Sequence, residues 1–356
     1  MNRILLARQL LLRRRRRAVL AVVEHLVGLQ SQSPRAAYVG LWTRLSGFRA
    51  ERLEELMLER RAVRIALMRS TVHLVSARDC LPLRRLTQPA IARTSRHTKH
   101  RRDAGVDDGE LAAAGRELMA DHRRTFSELG ELLHERWPGC PADALAMGVR
   151  ELVPLVQVPP RGLWQQGGAV RVADAADWLP AAATRSGRLA IDGLVRRYLA
   201  AYGPASVRDV QTFTGLTGLR AVLEELRPTL RTFRDESGTE LFDVPGSPLP
   251  TARAAAPVRF LPEFDNVLLS HADRSRILPE GTMSMLSLGN GLRPAYLVDG
   301  FVAGSWRLVR GGRSAVIELR PFERPSADVR RELAAEAERL LTFAAGDREQ
   351  RAVSWR

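Results

Sequence analysis

One order of elements recurs three times along this chain of 356 residues: a helix, two further helices separated by a tight break, then a β-hairpin. A repeated supersecondary unit restricts the fold more than any single segment does, because neighbouring copies must bury their apolar faces in the same way. In the first copy, a short helix over residues 4–12 precedes one over 18–29, a second from the Ser33 cap and Pro34 to residue 45, and a third over 51–60 with Leu53, Leu56 and Met57 at helical spacing. The period then changes to two. Residues 63–68 and 71–75 read as strands turning at Arg69-Ser70. Ser76 with Asp79 caps a further helix carrying Arg84, Arg85, Arg93 and Arg96, and a basic linker over 97–102 closes the unit.

The second copy has helices over 110–122, from a Thr125–Glu128 capping box to Trp137, and over 142–152, then strands over 155–158 and 169–172. The third has helices over 189–201, 207–213 (Ser206 with Asp209 as its box) and 219–226, then a wing over 230–233 and 240–244. This is the order of a winged helix. A Pro/Ala-rich linker over 246–257 leads to strands over 258–261, 295–297, 301–309 and 313–318 and a final amphipathic helix over 327–343. The expectation is an α+β chain of three tandem winged-helix units with a C-terminal β-rich unit and terminal helix, divided as 1–105, 106–185, 186–250 and 251–356.

Within the first unit, Gln30 and Gln32 fall where a helix must stop, because Pro34 pushes Ser33 out of the helical region. In an extended joint, residues two apart point the same way, so both amides would face one side with Ser31 turned off. They either satisfy backbone groups at the joint or serve a ligand.

The net charge of +15 with a pI near 11.2 favours a polyanionic partner, nucleic acid first. Lys99 is the only lysine; a coding bias explains arginine over lysine but not the excess of bases over acids. Cys80 and Cys140 alone make no disulfide framework or thiolate zinc site, which fits a reducing, cytoplasmic setting. The run Arg13 to Arg17 precedes an apolar stretch that Glu24 and His25 interrupt, so no targeting peptide or membrane span is expected. No glycine-rich phosphate loop opens a helix, the seven histidines lack metal-ligand spacing, and no nucleophile–histidine arrangement is supported. No metal or cofactor is expected.

A glutamine cannot act as a general acid or base, but it can hold a water through its carbonyl and donate from its amide. Glycoside hydrolysis ordinarily uses two carboxylic groups. A base that already carries positive charge, such as an N7-alkylated guanine, needs no acid to leave. Positioning a water against the anomeric carbon then suffices.

Four blocks in order carry a resemblance: residues 26–32 with Gln30-Ser31-Gln32 and 36–42 after it; 69–76; 261–265 with Asp273-Arg274-Ser275; and 299–307. Over essentially its whole length the chain resembles the AlkZ-like tandem winged-helix DNA glycosylases, related to an azinomycin-resistance enzyme. The resemblance implies monofunctional excision of bulky N7-alkylpurines from double-stranded DNA, with interstrand-crosslink unhooking in some members. It implies Gln30 and Gln32 as the catalytic pair, Gln32 the more critical. A glutamine rather than an acid at the second position places the chain on the natural-product self-resistance side. Ser31 departs from the bulkier apolar residue common there. Arg35, Arg69, His73, Arg274, Trp306 and Arg307 are candidate DNA contacts, although His73 on its apolar strand and Trp306 in its hairpin also read as core residues. Asp265 reads as electrostatic support or as a structural brace. A cytoplasmic, nucleoid-associated monomer is expected. The alternative is a winged-helix transcription regulator or a non-catalytic DNA-binding protein.

Overall fold

A computed structural model describes residues 1–95, 97–185, 187, 189–289 and 291–356. Arg96, placed above on a helix, lies outside the described residues. The chain is α+β, and most expected elements are present within a few residues of their expected bounds. Both capping boxes at Thr125/Glu128 and Ser206/Asp209 form, and Ser76 caps the helix Ala77–Arg93 by accepting from the Asp79 amide.

Four elements differ from expectation. Leu10 adopts a left-handed φ of 59°, so the first helix is only Asn2–Arg8. The next helix stops at His25 rather than residue 29, because Val27 and Gly28 turn the chain with φ of 56° and 88°. The basic stretch read as a linker contains the helix Thr98–Asp103. A strand at Gln350–Trp355, absent from the expected elements, pairs in parallel with Ser314–Pro321 after the crossover helix Ala327–Ala345.

The sheets decide how the units meet. Strands Leu29–Gln30, Val72–Ser76, Ala62–Ala66, Leu155–Gln157, Arg171–Asp174 and Arg124–Thr125 form, in that order, one six-stranded sheet. The hairpins of the first two units are therefore one surface, joined where Arg64 and Ile65 pair with Gln157 and Val156. The third unit's hairpin, Arg231–Arg234 with Glu240–Asp243, stands apart as two strands. The C-terminal strands form a five-stranded sheet ordered Gln350–Trp355, Ser314–Pro321, Phe301–Gly311, Ala295–Val298, Arg259–Leu261.

The apolar cores do not follow the expected boundaries at 105, 185 and 250. One core joins Leu5, Val75, Tyr198, Phe213 and Leu261, and so runs from the first helix through the third unit to the C-terminal sheet. A second packs the helices around Tyr38 and Leu53 against Phe260, Ile317 and Leu341 of the C-terminal part. Among the described residues, 106–172 hold a core of their own, around Leu111, Leu129 and Val149. Tight packing of this kind makes the units interdependent rather than beads on a string.

Candidate active site

The joint at residues 26–33 is built by a reversal. After His25, Val27 and Gly28 take left-handed conformations and deliver Leu29–Gln30 as a strand against Val72–Ser76, pairing Leu29 with Leu74 and Gln30 with His73. A Cβ on Gly28 would lie 2.8 Å from Val75 Cγ1 and 3.1 Å from the Leu74 carbonyl, so both the φ and the approach require glycine. The pairing continues one residue further, where the Ser31 amide donates to the Val72 carbonyl at 2.8 Å.

Extension turns Ser31 away from the two glutamines. Ser31 is fully buried, with Arg64 Nη2 donating to its carbonyl at 2.8 Å and Nε to its hydroxyl at 3.3 Å. Both glutamine oxygens reach the short segment 69–72. Gln30, buried, accepts from Arg69 Nη2 at 2.7 Å, and Gln32, exposed, accepts from the Val72 amide at 3.3 Å. Among the described residues neither amide nitrogen has a hydrogen-bond partner, so the donors of both side chains are open to a ligand.

Behind the strand, Asn266 holds it in place. Its Oδ1 accepts from the Gln30 backbone amide at 3.1 Å, while its Nδ2 donates to the Gly28 carbonyl at 2.7 Å and to Tyr202 Oη at 2.8 Å. Asp265, next to it, caps the short helix Asn266–Leu269 and makes a bidentate pair with Arg44 at 2.7 and 2.8 Å, both side chains buried. Asp265 is thus tied to a cation and is a brace rather than a free carboxylate at the amides.

His73 lies opposite Gln30 but is fully buried; its Nδ1 meets the Thr71 carbonyl at 2.9 Å, and burial pushes its pKa down to about 3. It presents no surface to DNA, and of its two expected readings the core one describes its position. The same holds for Trp306, whose Nε1 donates to the Leu261 and Ala295 carbonyls inside the second core. Its indole is needed there to satisfy two carbonyls. Arg307 is on the surface and pairs with Glu318 at 2.5 Å.

Arg69 is the candidate cation that the fold brings to the pair. The tight turn gives it a φ of 54°, and its side chain crosses to the third unit, where Nη1 donates to the Phe213 carbonyl and the guanidinium lies 5.5 Å over the Phe213 ring. Burial pushes its pKa down to about 10, and the nearby positive charge of Arg274 acts in the same direction. Arg274 is half-buried with Nη1 on Met283 Sδ, and Arg35 is exposed in the first turn of the helix Pro34–Trp42.

Sequence reasoning missed Arg64, Asn266 and the Arg69–Phe213 link. Asn266 directly follows one of the blocks singled out above, whereas Arg64 on a buried strand and Phe213 in another unit carried no local signal.

Two amides with open N–H donors, one on the strand and one just past its end, with arginines beside them and Asp265 paired to Arg44, can hold a water but cannot themselves trade protons. A family model described as DNA glycosylase AlkZ-like matches residues 23–343. The chain belongs to the AlkZ-like DNA glycosylases, and as such acts on DNA. Among solved structures, the Streptomyces sahachiroi DNA glycosylase AlkZ is similar over 100% of this chain and 99% of that one, with a TM-score of 0.79 at 19% identity. That likeness is one of fold. No curated protein matches. Among the described residues, no helix is long and apolar enough to cross a membrane.

Proposed function

We propose that the protein hydrolyses the N-glycosidic bond of bulky N7-alkylguanine adducts in double-stranded DNA, interstrand crosslinks among them, and so gives self-resistance to a genotoxic natural product. In this reading its three helix–helix–hairpin units act as tandem winged helices that grip the duplex as a monomer at the nucleoid. The observation that carries it is the Gln30–Gln32 pair: two open amides at a site where Asp265, the carboxylate singled out from the sequence, is bound to Arg44. Such equipment serves a substrate whose leaving group is already cationic.

In the reaction, a water held by the amides approaches C1′ as the C1′–N9 bond breaks. The bonding electrons move onto the base and cancel its N7 charge, the water oxygen bonds to C1′, and its proton passes to solvent. Gln32, exposed, holds the water. Gln30, anchored at its backbone by Asn266, presents its amide to the sugar or base. Arg35 and Arg274 contact phosphates on either side.

Incubation with duplex DNA carrying N7-alkylguanine tests this directly by release of free base and formation of abasic sites. Gln32→Ala lowers the single-turnover rate by about 100-fold, the scale of losing one preorganised polar group at a reacting centre, with Gln30→Ala a smaller loss. Excision indifferent to both substitutions removes the mechanism. Tight, sequence-specific binding to undamaged DNA with no base release would instead identify a transcription regulator.

A further inference from the structure

We propose that Arg69 bridges a backbone phosphate of the bound DNA to the Gln30 amide, so that excision is conditional on that phosphate. This rests on the reading of Gln30 and Gln32 as the water-positioning pair.

The fold pairs several of its most buried arginines with carboxylates: Arg8 with Asp243, Arg44 with Asp265, Arg101 with Glu151. Arg69 and Arg64, on either side of the amide strand, have no carboxylate partner among the described residues, and Arg64 Nη1 is buried with no hydrogen-bond partner at all. A desolvated cation without an anion is costly, and its retention here points to an anion that arrives with the ligand.

The seat of Arg69 fits that role. Its two terminal nitrogens are taken by Phe213, in the last turn of the helix Val207–Thr214, and by Gln30, while Nε has no partner among the described residues. The helix C-terminus supplies only a partial negative charge. A guanidinium engaged in this way still offers an edge to a phosphate oxygen, the geometry in which arginine binds phosphate best.

The chemistry also requires compensation. A full positive charge 2.7 Å from the Gln30 oxygen opposes a cationic base before bond breaking and an oxocarbenium ion during it. A phosphate on Arg69 cancels that charge while Nη2 keeps the Gln30 amide oriented. Arg69 is then a positioning residue, acting on the reaction through Gln30. Free alkylated nucleosides lack the phosphate and are poor substrates.

The experiment is a cycle read by single-turnover excision at saturating enzyme, with thermal unfolding confirming that each variant is folded. A neutral methylphosphonate at one linkage flanking the lesion lowers the wild-type rate by about tenfold or more, the scale of one charge-assisted hydrogen bond. Arg69→Met lowers it similarly on all-phosphate DNA and loses nothing further from the neutral linkage. Its binding shows a log–log salt slope shallower by about 0.9. In a Gln30→Ala background, Arg69→Met has no further effect on the rate at saturation. Arg69→Lys, which retains the charge, keeps the salt slope but not the rate, and serves if Arg69→Met unfolds. Wild-type excision by Arg69→Met, or losses from substitution and linkage that simply multiply, overturn the bridge. Indifference to Gln30→Ala and Gln32→Ala is a separate failure, that of the amide-pair reading itself.

Discussion

At the scale of single residues, the site is notable for how little in it titrates. His73, beside Gln30, is held neutral by burial with its pKa pushed down to about 3, and the amides do not ionise. The single-turnover rate of excision should therefore be flat from about pH 5 to 8, without the bell of an acid–base pair. Stability behaves differently. His73 and His271 are both fully or almost fully buried, with pKa pushed from an ordinary 6.5 to about 3. Between those values the unfolded chain binds protons that the folded one cannot, so stability is complete above pH 6.5 and is lost as pH falls toward 3. Each histidine contributes about 2 kcal/mol of loss at pH 5. Thermal unfolding followed from pH 8 to 5 checks this, and His73→Phe should reduce the dependence. The readings of residues 73 and 306 show what sequence leaves open at this scale: an amphipathic side chain on a strand can face water or a core, and only the neighbouring layer decides.

At the scale of elements, the decisive piece is the reversal at Val27-Gly28. Without it the helix that ends at His25 would run on, and Leu29–Gln30 could not enter the sheet. Gly28→Ala must place a methyl against Val75 Cγ1 at 2.8 Å in a conformation alanine avoids. The expected cost is about 1–3 kcal/mol in stability, together with a lower excision rate as the strand shifts. Chemical denaturation and single-turnover kinetics on the same variant separate the two effects. From sequence, Pro34 and Ser33 correctly marked the start of the next helix, because proline chemistry is local. The end of the preceding helix was misjudged by several residues, because strand pairing with Val72–Ser76 overrode the helix propensity of the segment. The strand Gln350–Trp355 went unread for the same reason: its partner Ser314–Pro321 lies across a whole helix.

At the scale of the molecule, the shared sheet and shared cores bind the units together. A fragment ending at residue 105 would expose the edge of Ala62–Ala66, where Gln157 and Val156 pair, and would lose the apolar faces supplied by Tyr198, Phe213 and Phe260. Such a fragment should show no cooperative unfolding transition by calorimetry, in contrast to the whole chain. The interdependence also serves the site. The strand bearing Gln30 is braced by Asn266 from the C-terminal part, itself held by Tyr202 of the third unit, while Arg69 rests on Phe213. Three regions distant in sequence converge on one extended tripeptide.

By itself the sequence determined the helix and hairpin order, the basic character, the scarcity of ionisable candidates around Gln30 and Gln32, and the family blocks. These follow from local propensity, composition and short motifs, which are properties of neighbouring residues. Only the tertiary structure decided that two units share a sheet, that Trp306 and His73 are core, and that Arg69 meets the Gln30 side-chain oxygen. Those depend on which distant segments pack together: the Gln30 backbone amide, for one, donates to Asn266, 236 positions away.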